Sequence, residues 1–235
     1  MKYALVNNLR EEPKKGLKGF CPFCNDEVIP KVGQGRKIPH WAHKNIRNCD
    51  LYKGEETAWH RNWKNQYPES FQERIVIDTQ TGQKHRADIL TPDNLVIEFQ
   101  YSPITSKEKE SRERIYKTMI WVVNCVRLKN DLKRFNKNKK YLFQSPDERS
   151  RYIVYPKYIS KVFPKDWINC EVPVIFDFAG ELINDEKNKL YCLFPMRSWY
   201  YEVFEISCLS FINSTKKSIW INKYEKYIND NRTLN

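Results

Sequence analysis

No apolar run in the chain approaches the ~18 residues that a membrane-spanning helix requires. The opening stretch, MKYALVNNLREEP, has too short an apolar segment for a secretory signal. A cytoplasmic protein without membrane contact is therefore expected. There is no internal repeat and no long low-complexity region. Glycine is scarce, 7 in 235 residues, and four of the seven precede residue 36, which sets the N-terminal stretch apart from the rest. The cysteines do not form an even set. Cys21, Cys24 and Cys49 share a short stretch with histidines, whereas Cys125, Cys170, Cys192 and Cys208 lie among apolar residues. Such a distribution argues against a disulfide framework and for a metal site plus reduced core thiols in a reducing compartment.

Acidic residues are also in deficit, 29 Asp and Glu against 41 Lys and Arg, for a net charge of +12. A surface of that sign attracts polyanions through release of counterions from phosphates. Charge alone is equally compatible with a basic protein that has no nucleic-acid role. Hydrophobic residues make up 40% of the chain and aromatics 14%, enough to bury at least one core.

The punctuation of the chain divides it into three parts: a small module over 1–50, a core over 51–126 and an aromatic and basic subdomain over 127–235. From Asp50 to Tyr67 good helix formers, with Trp59 and Trp63 four residues apart, predict a helix that Pro68 ends. Three strand-like runs follow, FQERIVID, QKHRADIL and NLVIEFQY, separated by the turn-forming TQTG and TPDN, as in an antiparallel meander. Thr105 with Glu108 three residues later is a capping-box pattern that opens a charged helix, and MIWVVNC then reads as a buried strand. Helix, three strands, helix and strand imply a mixed sheet flanked by helices, an α/β (α+β) fold. Beyond residue 126 the segments VPVIFDFAGEL, KLYCLFPM and SWYYEVFEIS alternate as strands do, and a short helix is expected around FINSTKKSIWINKYEKYI.

Two clusters carry chemistry. Cys21 and Cys24 have the Cys-x2-Cys spacing that lets two thiolates hold one zinc, and His40, His43 and Cys49 offer three candidates for the remaining two places. His43 with Cys49 is the preferred pair. His40 is the alternative ligand, free otherwise to hydrogen-bond within the module. A fifty-residue module with few large aliphatics needs such help to fold.

The second cluster is acidic. Hydrolysis of a phosphodiester needs a centre that holds and polarises a negatively charged phosphate, and Mg²⁺ or Mn²⁺ on carboxylates is the usual means. Asp88 and Glu98 lie on consecutive strand-like runs joined by TPDN, so both side chains are expected at one edge of the sheet. Glu98 between Ile97 and Phe99 is expensive to bury unless bound to metal or paired, for which Arg86 or Lys84 on the neighbouring strand are the candidates. Glu56 and His60 are four apart and would share a helix face, either aimed at the carboxylates or forming a solvated stripe with Lys64; Glu55 is the neighbour able to replace Glu56.

Taken together, HRADI, VIEFQYS, ETAWHRNWK, CPFC and HWAH resemble the competence protein CoiA-like family over residues 1 to 125. The resemblance implies a restriction-endonuclease-like fold of the PD-(D/E)xK type with a zinc-finger-like N-terminus. It also implies an active site at Glu56, Asp88, Glu98 and Gln100, with His60 and His85 nearby. Gln100 departs from the broader nuclease pattern, which has lysine there to stabilise developing charge. A metal-dependent DNA nuclease acting in competence, recombination or defence is the function expected. Its partners would be single- or double-stranded DNA and recombination or competence proteins. A non-catalytic DNA-binding or recombination-mediating factor is the alternative, and a zinc-dependent protein-interaction module a third. In the C-terminal part, the lysines between Arg127 and Lys140 could track a phosphate backbone and Trp199, Tyr200 and Tyr201 could stack on unpaired bases, yet a solvated helix face and ordinary core aromatics are the favoured readings.

Overall fold

The computed structural model describes residues 1–33, 38–45, 49, 56–79, 81–179, 188–196 and 199–222. Two sheets organise them. The first is built from β1 (Ala4–Val6), β2 (Leu9–Glu11), β3 (Gly19–Phe20), β4 (Glu27–Lys31) and β5 (His40–His43), in the order β2-β1-β3-β4-β5. Its small core is Ala4, Cys21, Val28 and Trp41. Gly19 suits the close approach there, since a Cβ would stand 3.1 Å from the Ala4 side chain and 3.3 Å from Trp41 and its neighbours would have to give slightly.

The rest of the described chain builds one nine-stranded mixed sheet. Its elements begin with α1 (Ala58–Asn65), β6 (Gln72–Ile77), β7 (Lys84–Leu90), β8 (Val96–Gln100), α2 (Ser106–Tyr116) and β9 (Met119–Asn124). They continue with α3 (Lys129–Asn138), β10 (Phe143–Gln144), β11 (Arg151–Val154), α4 (Pro156–Val162), β12 (Val174–Asp177), β13 (Lys189–Leu193), β14 (Tyr201–Ser207) and α5 (Cys208–Lys216). Strand order is β10-β11-β14-β13-β12-β9-β8-β7-β6. The meander β6-β7-β8 is antiparallel, and α2 returns the chain so that β9 lies parallel to β8. The Thr105 cap holds as drawn from sequence, with Thr105 Oγ1 accepting from the Glu108 N–H at 3.2 Å, while the Glu108 carboxylate binds Arg112.

Every residue of β9 is buried, and its side chains alternate between two cores. Trp121 and Val123 join Ile115, Tyr116, Phe135 and Ile159 under α2, α3 and α4, while Ile120 and Val122 face Trp59, Trp63, Phe211 and Ile212 under α1 and α5. The residue 127 boundary falls between β9 and α3, and β12 pairs in parallel with β9, so strands from both sides of it share one sheet.

The helix predicted from Asp50 begins later. Thr57 is its N-cap, accepting from the His60 N–H at 3.3 Å, so the first helical residue is Ala58. The helix stops at Asn65, before Pro68 as expected; residues 50–55, Glu55 among them, lie outside the described residues. The C-terminal helix likewise opens earlier than its sequence pattern implied, at Cys208, because Ser207 caps it through the Ser210 N–H at 3.1 Å.

The small sheet docks on the β6 side of the large one. At Glu73 the backbone of β6 passes through φ +46° without a change of register, since Gln72↔Ile89 and Arg74↔Ala87 flank it in step. Its carboxylate then accepts the Lys2 N–H at 3.0 Å and the Lys64 Nζ at 2.7 Å. Arg10 adds bonds to the carbonyls of Glu69 and Gln72. Among the described residues, no helix is long and apolar enough to cross a membrane.

Candidate metal centre and carboxylate cleft

In the small module Cys21, Cys24, His43 and Cys49 present one donor atom each, all within 4.8 Å of one another. Local backbone bonds explain the convergence. The turn CPFCND closes on itself through Asn25 N–H to Cys21 O at 2.8 Å and Cys21 N–H to Asp26 O at 2.8 Å, with Asn25 in the left-handed region at φ +61°. Phe23 N–H points at Cys21 Sγ from 3.4 Å, which stabilises a thiolate. β4 and β5 pair Val28 with His43 and so bring His43 Nε2 to 3.2 Å from Cys24 Sγ. His40 is turned away, its Nδ1 held by the Ile38 carbonyl at 2.9 Å.

Burial and the neighbouring thiols push Cys49 well up, and burial raises Cys24, so both favour the thiol form in the bare cluster. Burial holds His43 below its ordinary value, keeping the imidazole in the neutral, ligating form. Three sulfurs and one imidazole nitrogen fit a tetrahedral structural metal such as zinc.

The carboxylate site arises where β7 and β8 part. Their register holds at Leu90↔Val96 and Ile89↔Ile97. One residue further, the Phe99 N–H is taken by the Asp88 carboxylate at 3.1 Å, and the Asp88 N–H points at Glu98 Oε1 from 3.4 Å. The two carboxylates therefore sit at a split inside the sheet. The expected sheet edge is covered, because β6 pairs outside β7 and β9 lies beyond β8. Asp88 and Glu98 are each 1% exposed.

Each carboxylate is met by a different layer. From α1, His60 Nε2 reaches Asp88 Oδ2 at 2.7 Å. From α2, Arg112 Nη1 reaches Glu98 Oε2 at 2.6 Å while its Nη2 binds Glu108 at 2.9 Å. Burial disfavours the Arg112 cation, but Glu98, Tyr116 and Glu108 more than restore it. Arg112, on a helix rather than on the neighbouring strand of Lys84 and Arg86, is thus a counter-charge of Glu98. Lys84 is exposed at the start of β7. The i, i+4 spacing of Glu108 and Arg112, with Ile115 and Tyr116 on the buried part of α2, was the available signal for it.

Glu56 does not share a helix face with His60, since it precedes the Thr57 cap. Its carboxylate is gripped by Arg61 Nη2 and Lys64 Nζ, each at 2.5 Å. Burial alone would raise its pKa, yet the Lys64 charge and the Arg61 bond overcome this and bring it down to about 2. The solvated stripe is excluded as well, for Lys64 is 1% exposed between Glu56 and Glu73. Gln100, half-buried, donates its amide to the Ser102 carbonyl at 2.6 Å. His85 is buried with its ring edge-on to Tyr116. Asp177, which sequence reasoning passed over, accepts from the indoles of Trp59 at 2.8 Å and Trp63 at 3.1 Å and anchors α1 to the sheet.

With this geometry in place, two family models fit the chain. The N-terminal domain of competence protein CoiA matches residues 7–52, and the nuclease-like domain of competence protein CoiA matches residues 58–165. The chain belongs to the CoiA-like family. The nuclease-like match contains both carboxylates and their partners His60 and Arg112, and it crosses residue 127 into α4. A curated relative, competence protein CoiA of Bacillus subtilis (strain 168), is 33% identical over 64 residues, which are 27% of this chain and 17% of that protein. The chain thus matches under a fifth of its CoiA relative's length. No solved structure matches.

Proposed function

We propose that this chain is a metal-dependent deoxyribonuclease whose cleft is formed by Asp88 and Glu98. The observation that carries the reading is the split between β7 and β8, where two buried carboxylates meet within one nuclease-like domain. Their oxygens fit a hard divalent cation, Mg²⁺ or Mn²⁺. Such an ion would polarise a phosphoryl oxygen and lower the pKa of a bound water. The chain's own residues supply the rest. The Phe99 N–H and His60 fix the orientation of Asp88, and Arg112 fixes that of Glu98. His60, its side chain 15% exposed, would accept a proton from an attacking water, and Asp88 would stabilise the imidazolium so formed. Gln100 orients water at the end of β8 without adding charge. Glu56 acts at one remove, setting the position of Lys64. The Cys21, Cys24, His43 and Cys49 cluster holds a structural zinc that positions the module against β6.

A second reading, a DNA-binding or recombination-mediating factor that does not hydrolyse, draws on Gln100 and on Arg112, which already neutralises Glu98. One experiment separates the two. Wild type, Asp88→Ala and Glu98→Ala are incubated with single- and double-stranded DNA in Mg²⁺ or Mn²⁺. Cleavage by wild type that both substitutions abolish supports the nuclease; no cleavage of any substrate by wild type overturns it. Salt-dependent binding that survives Asp88→Ala without cleavage favours the second reading. Similarity to a competence protein makes competence the process in which to look first.

A further inference from the structure

At the far end of the nine-stranded sheet lies a surface that the carboxylate cleft does not use. Six aromatic rings touch there in succession. Tyr141 stacks on Tyr158 with centroids 4.2 Å apart and planes within 10°, and Tyr158 meets Phe143 at 6.5 Å. Phe143 meets Tyr155 at 5.6 Å, Tyr155 stacks on Trp199 at 5.5 Å, and Trp199 stands perpendicular to Tyr200 at 5.0 Å. Trp199 is 69% exposed and Phe143 42% exposed. Single exposed aromatics need no explanation, but a contiguous run of them marks an interaction site.

Cations are interleaved with the rings. Lys161 Nζ lies 5.4 Å from the Tyr158 centroid and 5.7 Å from that of Tyr141. Lys157 sits 5.0 Å over Tyr158 and Lys140 5.4 Å over Tyr141. All three lysines are exposed. Residues 127–166 contain 12 Lys and Arg against 4 Asp and Glu, so this one segment accounts for +8 of the chain's +12. Of the four acids, Asp131 is paired with Arg134 and Asp147 with Arg151.

We propose that this platform binds single-stranded nucleic acid, with bases stacking on Trp199, Phe143 and Tyr155 and phosphates held by Lys140, Lys157 and Lys161. Exposed ring faces beside mobile cations are the two parts that sequence-tolerant single-strand binding needs. A duplex keeps its base faces stacked inside and offers nothing to Trp199. An added protein strand would find in β10 an edge of only two residues, Phe143 and Gln144. Six strand positions separate β10 from β8, about 29 Å at ~4.8 Å each, so the platform is distinct from the cleft and its occupancy does not depend on the carboxylates.

The test is fluorescence anisotropy of a labelled oligothymidylate with the full chain, without added Mg²⁺ or Mn²⁺. Trp199→Ala should weaken binding about tenfold, the loss of roughly one stacked base, and Trp199→Phe should restore most of it. Replacing Lys140, Lys157 and Lys161 together by Ala should lower the slope of log affinity on log salt by about 2, at ~0.7 per phosphate contact. A blunt hairpin duplex should bind more weakly and ignore Trp199→Ala. Equal affinity of Trp199→Ala and wild type for the oligothymidylate, or wild-type binding to the duplex as tight as to the single strand, would overturn the platform. Because no catalytic ion is present and both carboxylates are intact, this result is separate from whether the chain cleaves DNA.

Discussion

The two ligand clusters of this protein are opposite in kind. The cysteine and histidine cluster gathers four donors on one another, and burial, with the neighbouring thiols, raises Cys49. In the carboxylate cleft every acid already has a partner, Asp88 with His60 and Glu98 with Arg112. A cluster of the first kind gains most of its order from the metal it binds. One of the second kind is stable without metal, so an incoming cation competes with Arg112 and is expected to bind weakly and exchangeably.

The strongest challenge to that contrast is removal of the structural metal. Metal analysis should find one zinc per chain. Chelation, or Cys24→Ser, should cost on the order of 10 kcal/mol at the module and release its amides to hydrogen exchange. Full retention of protection after metal loss would place the two clusters in the same class. Next in size is Arg112→Ala, which leaves a buried carboxylate uncompensated and should cost about 3–5 kcal/mol. If Glu98 is a metal ligand, Mn²⁺ should raise the melting temperature of Arg112→Ala more than that of wild type. An equal rise in both would remove the competition.

Glu56→Gln probes the charge cluster beside the cleft. The wild-type carboxylate titrates near 2 when folded against an ordinary 4.5. Its stabilisation, up to about 3 kcal/mol, is therefore complete above pH 4.5 and is lost as the pH falls towards 2. Acid unfolding curves of wild type and Glu56→Gln should converge across that window and differ above it. The smallest effect belongs to His40→Ala, which removes one hydrogen bond to the Ile38 carbonyl at about 1 kcal/mol and leaves zinc stoichiometry unchanged. Loss of zinc in that variant would make His40 a ligand after all.

The contrast also explains what could be read from the chain. The thiolate turn, the β6-β7-β8 meander, the Thr105 cap and the buried β9 depend on residues close in sequence, and spacing or alternation exposes them. Arg112 is 14 residues from Glu98 and meets it only because α2 packs across the sheet. Glu56 was placed on a helix that Thr57 caps one residue too late to include it. The β9 and β12 pairing joins segments some fifty residues apart, and no local pattern announces it. Charge partners and sheet extension are tertiary facts, whereas ligand spacing is a local one.

Glu73 makes the joint between the two sheets observable from outside. The amides of Lys2 and Tyr3 both point at its carboxylate, across a separation of 70 residues or more. Neither proton can be surrendered to water until the joint opens, so their exchange rates amount to a built-in gauge of how often the module lifts from the edge strand, readable in the intact chain without any label.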